Sequence, residues 1–354
     1  MFVQGTPEAA MRHYCTLFDR NYLLRGLALY RSLERHAGRF TLHVLCMDDV
    51  VHELLRRMAL PDVKLVRRVD FEDPELLAVK PSRSVAEYCW TCTPSLPLYL
   101  LAQHPEIELI SYLDADLYFF SSPEPIFEEL GRDSILIVEH RFSPRFVRFE
   151  VNGKYNVEWL TFRRDERGLA ALRWWRERCI EWCFYRLEEN RMGDQKYLDT
   201  WPQRFAGVHV LQHPGAGVAP WNFANYRISA RDGALRVDEA ALIFYHFHGF
   251  RLRSDGHHIP MGDMYLEDGS FPREIYEPYH MALEEALRLV RRFDPAFGSG
   301  IEAVEKVMPA GDIATKVYWT VPEWCRAAVR RLVPGRLRAR LLRALGRHDH
   351  RASV

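Results

Sequence analysis

The stretch Ile110-Ser111-Tyr112-Leu113-Asp114-Ala115-Asp116-Leu117-Tyr118-Phe119-Phe120 constrains this chain most. Two carboxylates stand one residue apart between two apolar runs, a pattern that predicts buried strand on either side. In an extended chain, side chains at i and i+2 point the same way. Asp114 and Asp116 are therefore expected to face one divalent cation at a strand end. Burying adjacent carboxylates without a counter-charge is costly. A metal with a phosphate-bearing ligand on its far side removes that cost. The competing reading is a strand that ends in a polar turn, with Asp as an ordinary turn residue.

The surrounding chain alternates strands and helices. Residues 13–18 predict a buried strand, Asp19-Arg20-Asn21 a break, and Leu23, Leu27, Tyr30 and Leu33 a helix. Strand, turn and helix open a parallel α/β sheet, and nucleotides bind at such strand ends. Neither a Gly-x-Gly-x-x-Gly fingerprint nor a Gly-x-x-x-x-Gly-Lys-Ser/Thr loop is present, so dinucleotide and P-loop readings lack support. Further strands are expected at 41–47, 63–66, 134–138, 153–162, 208–211 and 242–249. Helices are expected at 51–60, 94–103, 126–130 and 165–187, with another opening at 193–198. Asp48 and Asp49 read as a cap of the second helix, and Thr93 as the start of the third. Residues 72–84, 140–150 and 215–226 read as loops. The α/β part is expected to span 1–255, followed by a mostly helical extension over 256–354.

Composition narrows the function classes. Lys plus Arg and Asp plus Glu are 48 each, so no basic footprint argues for nucleic acid as a partner. Nine Trp and sixteen Tyr suit a groove that stacks on rings or sugars. No run is long and apolar enough to span a bilayer, and residues 1–10 lack the features of a secretory signal. Seven cysteines without framework spacing predict reduced thiols and a cytoplasmic location. Cys89 and Cys92 with Cys179 and Cys183 imitate a four-thiolate zinc site. The glycines and polar turns of a zinc knuckle are missing around both pairs, which favours buried thiols. At the C-terminus, 323–333 and 336–345 read as helices broken at Pro334-Gly335. The second carries Leu337, Leu341, Leu342 and Leu345 on one face and five arginines elsewhere. Such a basic amphipathic helix either lies on an anionic membrane or packs on the domain.

Taken in order, these motifs resemble a GT-A-fold glycosyltransferase. The resemblance is strongest to family 8, the retaining group with glycogenin and bacterial lipopolysaccharide galactosyl- and glucosyltransferases. It covers residues 12–252. The Thr16-Leu17 strand and the Tyr22 helix start resemble the nucleotide-binding segment. Tyr112-Leu113-Asp114-Ala115-Asp116 is close to the YLDAD signature, and Gly193-Asp194-Gln195 resembles the family's Asp-Gln element. His246-Phe247-His248-Gly249 resembles an HFxG element whose first His is the third metal ligand. A lysine that the family places six residues beyond that His, on the diphosphate, is Leu252 here, flanked by Arg251 and Arg253. Arg83 is the nearest basic residue upstream of the Asp-x-Asp strand.

The resemblance implies an α/β GT-A fold, a Rossmann-like mixed sheet flanked by helices. It implies metal ligation by Asp114, Asp116 and His246, with His248 at the variable position. Oxygen ligands with one imidazole favour Mn²⁺, with Mg²⁺ second. Donor contacts are expected from Thr16, Leu17, Tyr22, Leu113, Asp114, Ala115, Gly249 and Arg251. Asp194 is expected on donor-sugar hydroxyls, unless it is a plain N-cap, and Gln195 near the reacting face. Asn156 and Asn222 occupy a strand edge and a loop, where sugar contact and turn roles compete. The implied reaction moves a hexose from a nucleotide-diphosphate sugar, UDP-linked, to a glycan, lipid-linked or protein acceptor with retention. The alternative is a non-catalytic sugar- or nucleotide-binding protein on a degenerate GT-A scaffold. A nucleotidyltransferase fits less well, since its basic Gly-rich loop is missing. Similar basic tails in family members suit a place on the inner face of the membrane.

Overall fold

Strand β1 (Arg12–Phe18) lies near the middle of a seven-stranded sheet, and its side chains alternate between two apolar cores. Tyr14 and Phe18 enter one core, Cys15 and Leu17 the other, as a period-two backbone requires. The structure is a computed structural model that describes residues 10–265 and 271–303. The other strands are β2 (Phe40–Cys46), β3 (Val63–Arg67), β4 (Leu109–Leu113), β6 (Ile135–Glu139), β7 (Tyr155–Arg163) and β8 (Val208–Val210). Between β4 and β6 lies the short β5 (Leu117–Phe119). The order is β3-β2-β1-β4-β7-β6-β8, parallel throughout except for β7, which is antiparallel to both neighbours. This is the expected α/β architecture, a mostly parallel sheet flanked by helices.

Helices α1 (Leu23–His36) and α2 (Asp49–Met58) follow β1 and β2. Leu23, Leu27, Tyr30 and Leu33 are the buried stripe of α1, as their spacing predicts. The side chain of Asp48 accepts the Val51 N–H and caps α2. Next come α3 (Arg68–Phe71), α4 (Pro74–Val79), α5 (Val85–Cys92) and α6 (Ser95–Gln103). Then follow α7 (Glu124–Leu130), α8 (Glu166–Glu181), α9 (Trp201–Arg204) and α10 (Arg273–Arg291). One core gathers β1, α1 and α10; the other gathers α5, α6, α8 and α9, with Trp175 and Trp201 fully buried. Cys92, Cys179 and Cys183 are buried free thiols of that second core.

Several elements depart from expectation. The segment 72–84 is not a loop: Asp73 caps α4, with Pro74 at its first position, and Ser84 and Glu87 form a capping box on α5. Thr93 closes α5 rather than opening α6. Helix α8 stops at Glu181, and the segment after 193 makes a 3₁₀ turn over Lys196–Thr200. A hairpin of β9 (Ile228–Arg231) and β10 (Ala234–Val237), extended by β11 (Ala240–Ala241), precedes a last core strand of only three residues, β12 (Phe244–His246). Single polar positions decide these boundaries, and hydrophobic periodicity does not see them.

The described residues up to Glu302 belong to one compact unit. Strand β13 (Arg251–Arg253) pairs with β14 (His258–Ile259) and with β15 (Ile301–Glu302). Helix α10 packs on α1, and Phe247 stacks on its Tyr279 at 3.7 Å between ring centroids. The two expected tail helices at 323–333 and 336–345 lie outside the described residues.

Among the buried polar groups without a partner in the described residues is a histidine. His43 on β2 is 1% exposed, and neither ring nitrogen has a hydrogen-bond partner among the described residues. Burial, then the neighbouring rings of His104 and His13, lower its pKa to about 3. Below pH 6.5 the unfolded chain takes up a proton that the folded chain refuses, so the stabilisation is fully present above pH 6.5. It falls towards pH 3 by roughly 1.4 kcal/mol per pH unit from this group. His43→Leu is expected to flatten the decline of the urea midpoint between pH 6.5 and 4.5. Parallel declines in wild type and variant would exclude His43 as a source.

Candidate active site

The Asp-x-Asp pair sits in a turn rather than in a strand. Strand β4 ends at Leu113, and the Leu117 N–H returns to the Asp114 carbonyl at 3.2 Å. Strand β5 then pairs antiparallel with β12, and His246 lies opposite Leu117. This pairing delivers the histidine: His246 Nε2 is 3.1 Å from Asp116 Oδ1 and 3.9 Å from Asp114 Oδ2. On its other edge, His246 Nδ1 donates to Glu158 Oε2 at 2.7 Å. His248 lies beyond the strand, exposed, yet it shares a cluster with Asp116 and His246 whose ligand atoms all fall within 4.8 Å.

Electrostatics follow from this crowding. Burial pushes the Asp116 carboxyl up, but the charge and hydrogen bond of His246 outweigh it, and its pKa falls below the ordinary range. Burial lowers the affinity of His246 for its proton; the charges and hydrogen bonds of Asp116 and Glu158 overcome this and raise it well above 6.5. Asp114 is raised by burial and by Asp116, against the pull of His246. Burial, then the charge of Asp114, raises Asp194 to about 8. Carboxylates beside one imidazole are the donor set of a hard or borderline divalent ion. The chain's residues therefore fit such an ion: Asp116, His246 and His248 could hold it, with Asp114 beside them.

A cavity of about 250 Å³ opens here. Of the sequence-expected residues, Asp114, Asn156, Asp194, Gln195, His246 and His248 line it. Gly193 has φ +55°, and the turn it makes carries Asp194 and Gln195 to the wall. Asp194 makes no cap on the 3₁₀ turn; its carbonyl accepts Trp175 Nε1–H at 2.8 Å. Gln195 donates through Nε2 to the Asn152 carbonyl at 3.0 Å. Asn156 is spent on structure: its amide bonds His140 Nε2 at 3.0 Å and accepts the Glu158 N–H at 2.8 Å. Asn222 is a turn residue, bonded to His140 O, Gly217 O and Ala219 N.

The remaining expected residues do not line the cavity. Thr16, Leu17 and Leu113 are buried strand residues, and Ala115 is buried in the turn. Thr16 Oγ1 has no partner among the described residues. Tyr22 is exposed at the start of α1, with its hydroxyl pushed up to about 12 chiefly by the Asp116 charge. Gly249 takes φ +74°, and a Cβ there would meet the Gly262 nitrogen at 2.5 Å, so its need for glycine is met by packing. Arg251 Nε is 3.6 Å from Glu302 Oε2, Leu252 is in the core, and Arg83 donates to the Ile180 carbonyl. Sequence reasoning missed Glu158, His140, and the aromatic wall of Trp90, Phe149, Tyr185, Trp221 and Tyr265. A signal for Glu158 existed: it is the one acid within the apolar run 155–162.

The two histidines are separable. His246 is buried and braced on both edges, whereas His248 is exposed. His246→Ala is expected to weaken Mn²⁺ binding, measured with a nucleotide diphosphate present, at least about tenfold. His248→Ala should cost less. Loss of binding in His248→Ala alone would reverse the assignment, and no loss in either would make both histidines structural.

No family model matches the chain. The galactosyltransferase LgtC, solved with donor and acceptor sugar analogs, aligns with 79% of this chain and 95% of its own, at 14% identity and a TM-score of 0.46. The glycosyltransferase GlyE of Streptococcus pneumoniae TIGR4 aligns with 79% of this chain and 64% of its own, at 14% identity and a TM-score of 0.47. Likeness at this level carries no inference about the reaction. In sequence, YfnD of Bacillus subtilis (strain 168), described as uncharacterized, is 34% identical over 291 residues, covering 81% of this chain and 94% of that protein. YfnF of the same strain, also described as uncharacterized, is 32% identical over 292 residues, covering 80% and 95%. With identity at that level running through four-fifths of its length, the chain belongs to the family of YfnD and YfnF.

Proposed function

We propose that this chain is a metal-dependent GT-A glycosyltransferase. In this reading it moves a hexose from a nucleotide-diphosphate sugar, UDP-linked, to an acceptor hydroxyl with retention of configuration. One observation carries the reading: His246, braced by Glu158, meets Asp116 at 3.1 Å beside a cavity that also holds Asp114, Asp194 and Gln195. These residues lie far apart in the chain, and the Asp-x-Asp, Asp-Gln and histidine elements among them resemble the family 8 motifs.

A divalent ion, Mn²⁺ before Mg²⁺, supplies charge stabilisation to a departing diphosphate when bound. Asp116 and the histidines would hold it, with Asp114 beside them. Asp194, whose carboxyl keeps its proton more firmly than usual, offers both a donor and an acceptor to sugar hydroxyls. Gln195 has one amide hydrogen committed to Asn152, which leaves its carbonyl oxygen as an acceptor for a hydroxyl. The aromatic wall suits the apolar faces of sugar rings and limits water near the reacting carbon. Asp114 and Asp194 are the acids that line the cavity, and both have these other tasks. Among the described lining residues no acid is left to act as an inverting base, in keeping with retention.

Three measurements test the reading. Transfer or hydrolysis of a UDP-sugar should stop in excess EDTA and return with Mn²⁺, and Asp116→Asn should lose at least about a hundredfold in rate. Full activity in EDTA, or Mn²⁺-dependent binding with no turnover on any nucleotide sugar, would sink the enzyme reading; the latter points to a binding protein. An NMR time course should show the donor's anomeric configuration in the first product, and an inverted signal would refute retention.

We assign the protein to the cytoplasm and its basic tail to the membrane's inner face, with a glycan, lipid-linked or protein acceptor. Among the described residues no helix is long and apolar enough to cross a membrane. Flotation with anionic liposomes should be lost when the chain is cut after Trp319; equal flotation of both forms removes the tail from membrane binding.

A further inference from the structure

We infer that Glu158 is the positioning residue of this site: it fixes His246 in the tautomer and orientation that present Nε2 to a cation, and it ties that histidine to the Asp-x-Asp turn. The inference rests on the metal-site reading above and assigns a residue that no motif marks.

Glu158 lies on β7, a strand buried on both faces, and is 1% exposed. A carboxylate so placed needs partners. Its Oε2 accepts the His246 Nδ1–H at 2.7 Å. Its backbone carbonyl accepts the Asp114 N–H at 2.9 Å. One residue therefore holds the two ends of the cluster, Asp114 from β4 and His246 from β12. Glu158 is itself held: its N–H donates to Asn156 Oδ1, and Asn156 bonds His140, which bonds the Lys154 carbonyl.

Room for the carboxylate is built in as well. Gly217 has φ +73°, and a Cβ there would lie 2.9 Å from Glu158 Oε1 and 3.0 Å from Arg141 Nη2. The carboxylate and the Arg141 guanidinium thus both border a residue that must lack a side chain, and Arg141 is anchored on the Ala216 carbonyl. A cation would take the place of the Nε2 proton that His246 shares with Asp116; the one N–H left on the neutral imidazole would stay on Nδ1 with Glu158, which leaves the Nε2 lone pair for the cation. A carboxylate behind a ligating histidine sets the ring's tautomer and angle and raises its basicity.

The test compares Glu158→Leu and Glu158→Gln with wild type in the full chain. Mn²⁺ affinity in the presence of UDP is read by electron paramagnetic resonance. The ¹⁵N signals of the His246 ring are read with Zn²⁺ as a diamagnetic stand-in. Wild type should show a protonated Nδ1 and a coordinated Nε2. Glu158→Leu should bind Mn²⁺ about 10- to 100-fold more weakly and lose that single-tautomer pattern. Glu158→Gln, whose amide oxygen still accepts from Nδ1, should lose only a few fold and keep the pattern. Thermal unfolding monitors stability, and if Glu158→Leu does not fold, Glu158→Asp, whose shorter side chain withdraws the carboxylate from Nδ1, takes its place with the same expected losses. Unchanged affinity and unchanged ring signals in the variants would overturn the positioning role. Failure of wild type itself to bind Mn²⁺ is a distinct result, and it overturns the metal reading and this inference together.

Discussion

A histidine clasped between two buried carboxylates sets the terms for the rest of this structure. His246 meets Asp116 on one edge and Glu158 on the other, with Asp114 close by. Three acids against one imidazole is an excess of negative charge in a place with little water. Such an excess is tolerable only where hydrogen bonds and opposite charge compensate it. The protein offers part of that compensation: His246 holds its proton strongly, Asp114 resists losing its own, and backbone amides fix the turn. The ligand set fits a divalent cation, which would complete the balance in place of the His246 proton.

Keeping those groups in place requires rigid supports on three sides. The β5–β12 pair sets the register between the aspartates and His246. Strand β7 supplies Glu158 and brings the Asn156–His140 network with it. From beyond residue 255, α10 anchors the histidine element through Phe247, stacked on Tyr279 and near Tyr276. The turn after it fits only because Gly249 and Gly262 pack backbone to backbone. The segment after 255 is thus part of the support for the site, although it contributes few residues to the cavity.

Two apolar cores on opposite faces of one sheet explain how a precise site is built on irregular segments. The sheet fixes the ends of β1, β4 and β7, and the groups of the candidate site occupy the turns and short pairings just beyond those ends. Open α/β sheets place ligands there because strand ends converge while the loops remain free to vary. The aromatic wall comes from several such segments: Trp90 on α5, Tyr185 after α8, and Trp221 in the stretch before β9.

The sequence by itself determined the sheet, the helical stripe of α1, the cap at Asp48 and the residues of the Asp-x-Asp, Asp-Gln and histidine elements. Those signals are local: apolar periods, a side chain within reach of a nearby N–H, a pair of acids between apolar runs. Only the tertiary structure decided that the aspartates sit in a turn, that His248 leaves the strand while His246 stays in it, and that Asn156 and Asn222 serve as braces. It also decided that residues 271–302 support the site, and that Glu158 and Arg141 both border Gly217. The reason is physical. A buried charge is defined by what surrounds it, and its partners here come from strands more than forty residues apart in the chain. No local pattern records which carboxylate in an apolar run will find an imidazole on the other side of the sheet.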